Sequence, residues 1–128
     1  MIYLDSSVAL AQLFAEDRRP PADLWREILT ASRLLSYEVW TRVHSRRLDR
    51  LHEEHVRTML DAVTFVELTP VVLARALEPF PHPVRTLDAL HLATIDFLRG
   101  QGQHIELATY DMRLLAAARA LRIPIREV

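Results

Sequence analysis

The sequence predicts a three-layer α/β/α fold, with a central, mainly parallel sheet of four to five strands between two layers of helices. Short apolar runs, too brief for helices, alternate along the chain with longer stretches of helical periodicity. That alternation implies parallel strands covered on both faces. The 128 residues suffice for one domain with a real core, and no repeat, low-complexity tract or internal boundary divides them, so residues 1–128 are read as a single domain.

Each element has a local reason. Residues 2–4 form the first strand, stopped by the helix-starting run Asp5-Ser6-Ser7. Val8, Leu10, Ala11, Leu13 and Phe14 give the first helix an apolar face. Pro20 and Pro21 break it, and Pro21 opens an expected second helix through Leu24, Trp25, Ile28 and Leu29. Residues 34–37 read as the second strand. Glu38 then begins a helix to about Leu51, with Val39, Trp40, Val43 and Leu48 inward. Another helix is expected over 53–63, a third strand over 65–68, and a helix from Thr69-Pro70 through Leu77. Three prolines make 78–83 a stiff extended loop. Thr86 is expected to cap a helix reaching Gly100, residues 106–109 to form the fourth strand, Asp111 to start the last helix, and residues 123–125 a terminal edge strand.

Composition removes several chemistries. There is no cysteine, which excludes disulfides, thiolate metal sites and a cysteine nucleophile. All 16 basic residues are arginine, so Schiff-base chemistry and lysine-dependent phosphate sites are absent. Two glycines, Gly100 and Gly102, cannot make a phosphate-cradling loop. The net charge of −1 gives no global attraction for nucleic acid, so any anionic partner must be held by local arginines. No apolar run approaches the roughly 20 residues that span a bilayer, and the first residues lack a secretory pattern; no membrane partner and a cytoplasmic location are expected.

The acids are the informative residues. Asp5 follows the first strand, Glu38 the expected second and Asp111 the fourth, while Asp88 lies in the first turn of the helix after the proline loop. Each alone fits a helix-capping or helix-dipole role. Capping does not explain why acids occupy the carboxyl ends of three strands, where open α/β sheets bind ligands. Grouped carboxylates repel one another unless a cation neutralises them, and an oxygen-only set suits Mg²⁺ or Mn²⁺. Such an ion assists in-line displacement at phosphorus.

Four stretches carry a resemblance: residues 3–7 (YLDSS), 36–38 (SYE), 85–93 (RTLDALHLA) and 109–114 (TYDMRL). In this order they resemble the PIN-domain ribonucleases, and within them the VapC-type toxins of bacterial toxin–antitoxin pairs. The sequence departs at Ser7, where many relatives have asparagine and some serine. The resemblance implies a metal-dependent endoribonuclease in which Asp5, Glu38, Asp88 and Asp111 hold Mg²⁺ or Mn²⁺. It also implies tRNA or ribosomal RNA as substrate, a cognate antitoxin protein and a homodimer. Cleavage leaving a 5′-phosphate and a 3′-hydroxyl is expected.

Ser6 and Arg113 are further candidates for contact with substrate phosphate. His91, three residues after Asp88, reads as a packed or hydrogen-bonded histidine rather than a metal ligand. Thr109 reads as a cap, and Trp25 and Trp40 as packing residues. Arg42, Arg46 and Arg50 form one basic helix face, either paired with Asp49, Glu53 and Glu54 or laid against an RNA backbone. The His82 loop stands as a possible border of the site. Two other readings stay open: a PIN-like module that only binds protein, and a nuclease acting on DNA. A phospho-accepting receiver domain is excluded by the missing lysine.

Overall fold

The computed structural model describes residues 1–15, 17–47 and 50–128. Strands β1 (Ile2–Leu4), β2 (Leu29–Ser32), β3 (Val63–Val66) and β4 (Glu106–Ala108) form a wholly parallel sheet in the order β3-β2-β1-β4. Six α-helices are found among the described residues: α1 (Ser6–Phe14), α2 (Leu34–Ser45), α3 (Arg50–Asp61), α4 (Pro70–Ala76), α5 (Thr86–Gly100) and α6 (Met112–Ala120). A short 3₁₀ helix, Ala22–Arg26, joins α1 to β2.

Side chains on β1 alternate between two cores, as the pleat requires. Ile2 and Leu4 pack with Val8 of α1, Leu35, Val39 and Val43 of α2, and Val56 and Leu60 of α3. Tyr3 faces the other way, joining Leu107 with Leu92 and Ile95 of α5 and Leu114 and Ala117 of α6. Helix α4 lies against α5. The fold is the three-layer α/β/α arrangement expected from the sequence. All of β1 is buried because it is central in a sheet covered on both faces.

The chain steps outward from β1 to β2 to β3, then returns to place β4 on the other side of β1. This reversal opens a crevice at the carboxyl ends of β1 and β4, the ligand-binding place of open parallel sheets.

Several elements differ from the sequence expectation. Residues 24–29 do not form a second α-helix: after the 3₁₀ turn the chain becomes β2, with Ile2 N–H donating to Ile28 O at 2.9 Å and Leu29 registered against Ile2. Residues 34–37 are the first turn of α2 rather than a strand, because the Ser32 hydroxyl accepts the Leu34 N–H at 3.1 Å and turns the backbone. Glu38 therefore sits inside a helix and does not directly follow a strand. Helix α2 ends at Ser45, and Arg47 takes a positive φ of 51° that cannot continue it. Leu48 and Asp49 lie outside the described residues. Val63 opens β3 instead of closing a helix, because it pairs with Leu29. Arg85, not Thr86, is the N-cap of α5. The terminal edge strand contracts to one bridge, Leu107 to Ile125, beside Pro124, which has no N–H to offer.

Candidate active site

Asp5 is pinned where β1 meets β4: its N–H donates to Ala108 O at 3.1 Å, and it caps α1. Its Oδ2 accepts the Ser7 N–H at 3.3 Å, the Thr109 hydroxyl at 2.8 Å and, in a short contact, the Ser7 hydroxyl. The two hydroxyls reach further. Ser7 Oγ accepts the Tyr110 N–H and Thr109 Oγ1 the Asp111 N–H, both at 2.9 Å. Thr109 is not the helix cap expected of it: Asp111 is the N-cap of α6, and the Thr109 hydroxyl holds the turn before it and orients Asp5. Asp5 is 5 % exposed, and its Oδ1 has no hydrogen bond among the described residues.

Asp111 caps α6, its Oδ1 accepting the Arg113 N–H at 2.9 Å and the Leu114 N–H at 3.3 Å. Asp111→Ala is expected to cost about 1 kcal/mol of stability, the usual value of a carboxylate cap. Asp111→Asn, which keeps a capping oxygen, should retain most of it. Denaturant melts of the two variants check this.

Asp88, 8 % exposed, enters from α5, and its Oδ2 accepts the N–H of Arg85 at 3.2 Å. Its Oδ1 has no hydrogen bond among the described residues. Glu38 comes from α2 in the opposite layer. Its Oε1 accepts from His91 Nε2 at 2.6 Å and its Oε2 from the Ser6 hydroxyl at 3.3 Å. His91 Nδ1 lies 2.7 Å from the Tyr3 hydroxyl, which accepts the Ser32 N–H at 3.1 Å. Burial pulls the His91 pKa down, but the hydrogen bond to Glu38 and the charges of Glu38, Asp5 and Asp88 outweigh it, leaving a net upward shift. Burial pushes the Tyr3 phenol far above its ordinary value.

All four acids line one open cavity of about 970 Å³. Ser6 and Arg113 border it as well, joined by Arg42 of α2 and by Arg46, the residue that follows its last turn. Arg50 does not belong to that face, since α2 has ended and Arg50 begins α3. Glu53 pairs instead with Arg57, at 3.8 Å. His82 lines a separate apolar cavity with Phe80 and Leu77. Trp25 and Trp40 pack against the α1–α3 core, as expected.

Sequence reasoning missed Arg18, Arg85 and Tyr110 on the cavity wall. Arg18 lies over the Tyr110 ring, 5.4 Å from its centroid. Tyr110 adjoins Asp111 in sequence, a signal that was available; Arg18 follows a helix with no periodic cue.

Among the described residues, no group of three or more His, Asp or Glu side chains is already arranged to hold a metal ion. The donor chemistry nonetheless fits a hard cation. Mg²⁺ keeps several waters and binds through one or two carboxylates rather than a complete protein cage. Asp5 and Asp88 each leave one carboxylate oxygen unengaged in a cavity open to solvent. Also among the described residues, no helix is long and apolar enough to cross a membrane.

A family model described as the PIN domain matches residues 2–122. No curated protein gives a significant match. Several solved structures share the fold, two of them as follows. A toxin–antitoxin complex from Klebsiella pneumoniae is 18% identical, with a TM-score of 0.70 over 94% of each chain. A protein from Pyrobaculum aerophilum is 22% identical, with a TM-score of 0.64 over 99% of this chain and 83% of that one.

Proposed function

Because the chain belongs to the PIN-domain family, whose members are generally nucleases, we propose that it is a metal-dependent endoribonuclease and the toxin of a VapBC-type toxin–antitoxin pair. One observation carries the reading: Asp5, Glu38, Asp88 and Asp111, delivered by four separate segments, line a single arginine-rimmed cavity at the topological switch of the sheet. In this reading Asp5 and Asp88 hold Mg²⁺ or Mn²⁺, and Glu38 and Asp111 complete the acidic pocket. Such a cation supplies Lewis acidity at phosphorus and offsets the repulsion among the carboxylates.

The chain's own residues do the rest. Ser7 and Thr109 hold one oxygen of Asp5, so the other faces the cavity with little freedom. The Ser6 hydroxyl donates to Glu38 Oε2 at 3.3 Å, so Ser6 serves as a support for that carboxylate rather than as a free phosphate ligand. The exposed guanidinium groups of Arg42 and Arg113 stand on the rim, where they pair with backbone phosphates on either side of the scissile bond. The partners are an RNA such as tRNA or ribosomal RNA, a cognate antitoxin and a second copy of the chain. A toxin–antitoxin complex among the structures sharing the fold supports the second of these.

The test is cleavage of structured RNA with Mg²⁺ or Mn²⁺, against EDTA and against DNA of the same sequence. Cleavage of RNA that EDTA abolishes supports the proposal. Cleavage of DNA alone, or of neither polymer, overturns it in favour of a DNA nuclease or a protein-binding module. Arg42→Ala and Arg113→Ala should each raise KM several-fold with kcat little changed. Each should also reduce the slope of log affinity against log salt by about 0.7 to 0.9, which binding titrations at a series of NaCl concentrations measure.

A further inference from the structure

We propose that His91, backed by Tyr3, is a positioning residue that fixes the Glu38 carboxylate in the cavity and so sets how tightly the acidic site holds a divalent cation. The inference rests on the nuclease reading of that site.

The geometry is a continuous chain of hydrogen bonds running from the sheet to the cavity. The Ser32 N–H at the end of β2 donates to the Tyr3 hydroxyl at 3.1 Å, and that hydroxyl meets His91 Nδ1 at 2.7 Å. His91 Nε2 lies 2.6 Å from Glu38 Oε1. A carboxylate oxygen only accepts, so Nε2 carries a proton whatever the charge of the ring. The tyrosine and imidazole rings are also packed edge to face, 5.8 Å between centroids. Tyr3 is fully buried and His91 is 2 % exposed, so both rings are held by the core around them.

Glu38 differs. It is only partly buried and carries rotatable bonds that would otherwise let its head sample several rotamers. It also approaches from the α1–α3 layer, whereas His91 approaches from the α5–α6 layer. The His91–Glu38 bond therefore spans the two helical layers across the carboxyl end of the sheet, and with the Ser6 hydroxyl on the other oxygen it holds a partly buried acid against a rigid anchor. A histidine that merely satisfied the core would need no partner on the cavity wall. Groups that orient a ligating carboxylate ordinarily matter for metal affinity nearly as much as the ligand itself.

The experiment measures Mn²⁺ binding to the full chain by the electron paramagnetic resonance signal of free Mn²⁺, alongside thermal melts. His91→Leu should weaken Mn²⁺ binding by about 10-fold or more, the usual cost of losing such a support. His91→Gln, whose amide N–H can still reach Glu38, should recover most of the affinity. Tyr3→Phe removes the hydroxyl and keeps the ring, and should give an intermediate loss; it carries the test if His91→Leu does not fold. In a Glu38→Gln background, His91→Leu should add no further loss. Unchanged Mn²⁺ affinity in folded His91→Leu and Tyr3→Phe overturns the inference. So does a glutamine variant as weak as the leucine one, or a loss that persists without Glu38. A wild-type protein that binds no Mn²⁺ overturns the nuclease reading beneath it instead.

Discussion

Replacing Asp5 or Asp88 with asparagine is expected to lower kcat/KM for RNA cleavage by about three orders of magnitude, roughly 4 kcal/mol of transition-state stabilisation. The substitutions are chosen because the internal bonds survive them. An asparagine oxygen at position 5 can still accept from Ser7 and Thr109, and one at position 88 can still accept the Arg85 N–H. What disappears is one negative charge facing the cavity. The fold should persist, and without metal both variants should melt at or above the wild-type temperature, because repulsion among the acids is relieved. Single-turnover cleavage assays, with circular dichroism as the control for folding, check both halves. Full activity in both variants would sink the site assignment.

Metal should also stabilise the folded chain. A cation that binds only the native state at 100 times its dissociation constant adds about 2.7 kcal/mol. Thermal melts with increasing Mn²⁺ should therefore rise steadily, and the rise should be largely lost in Asp5→Asn. The two proteins responding alike would place the bound ions elsewhere, whatever the cleavage assay gives.

Much of this was legible in the sequence because it is local. Asp5 directly follows β1 and Asp111 lies three residues after β4, and their capping bonds reach only two or three residues ahead. Capping and lining the cavity turned out to be compatible duties of the same carboxylates. The misplaced second strand has a different origin. Leu24, Trp25, Ile28 and Leu29 satisfy helical spacing, and what makes residues 29–32 a strand is pairing with residues 2–3 on one side and 63–66 on the other. Parallel pairing is non-local, and no window along the chain contains it. Likewise His91 was legible as a hydrogen-bonded histidine. Its partners, 88 and 53 residues away in sequence, were not.

The proline loop at 78–83 falls between the two pairs of acids, with Asp5 and Glu38 before it and Asp88 and Asp111 after it. During synthesis the first half of the chain therefore leaves the ribosome carrying only half of the acidic cavity. The Asp5 support from Thr109, the Glu38 anchor at His91 and the β4 edge that pins the Asp5 backbone all arrive last. The cavity is complete only when the chain has been made through Arg113 and folded. On the proposed nuclease reading, that order delays the hazard, because a chain that stops before Thr109 and Asp111 lacks both the Asp5 support and the fourth acid of the cavity.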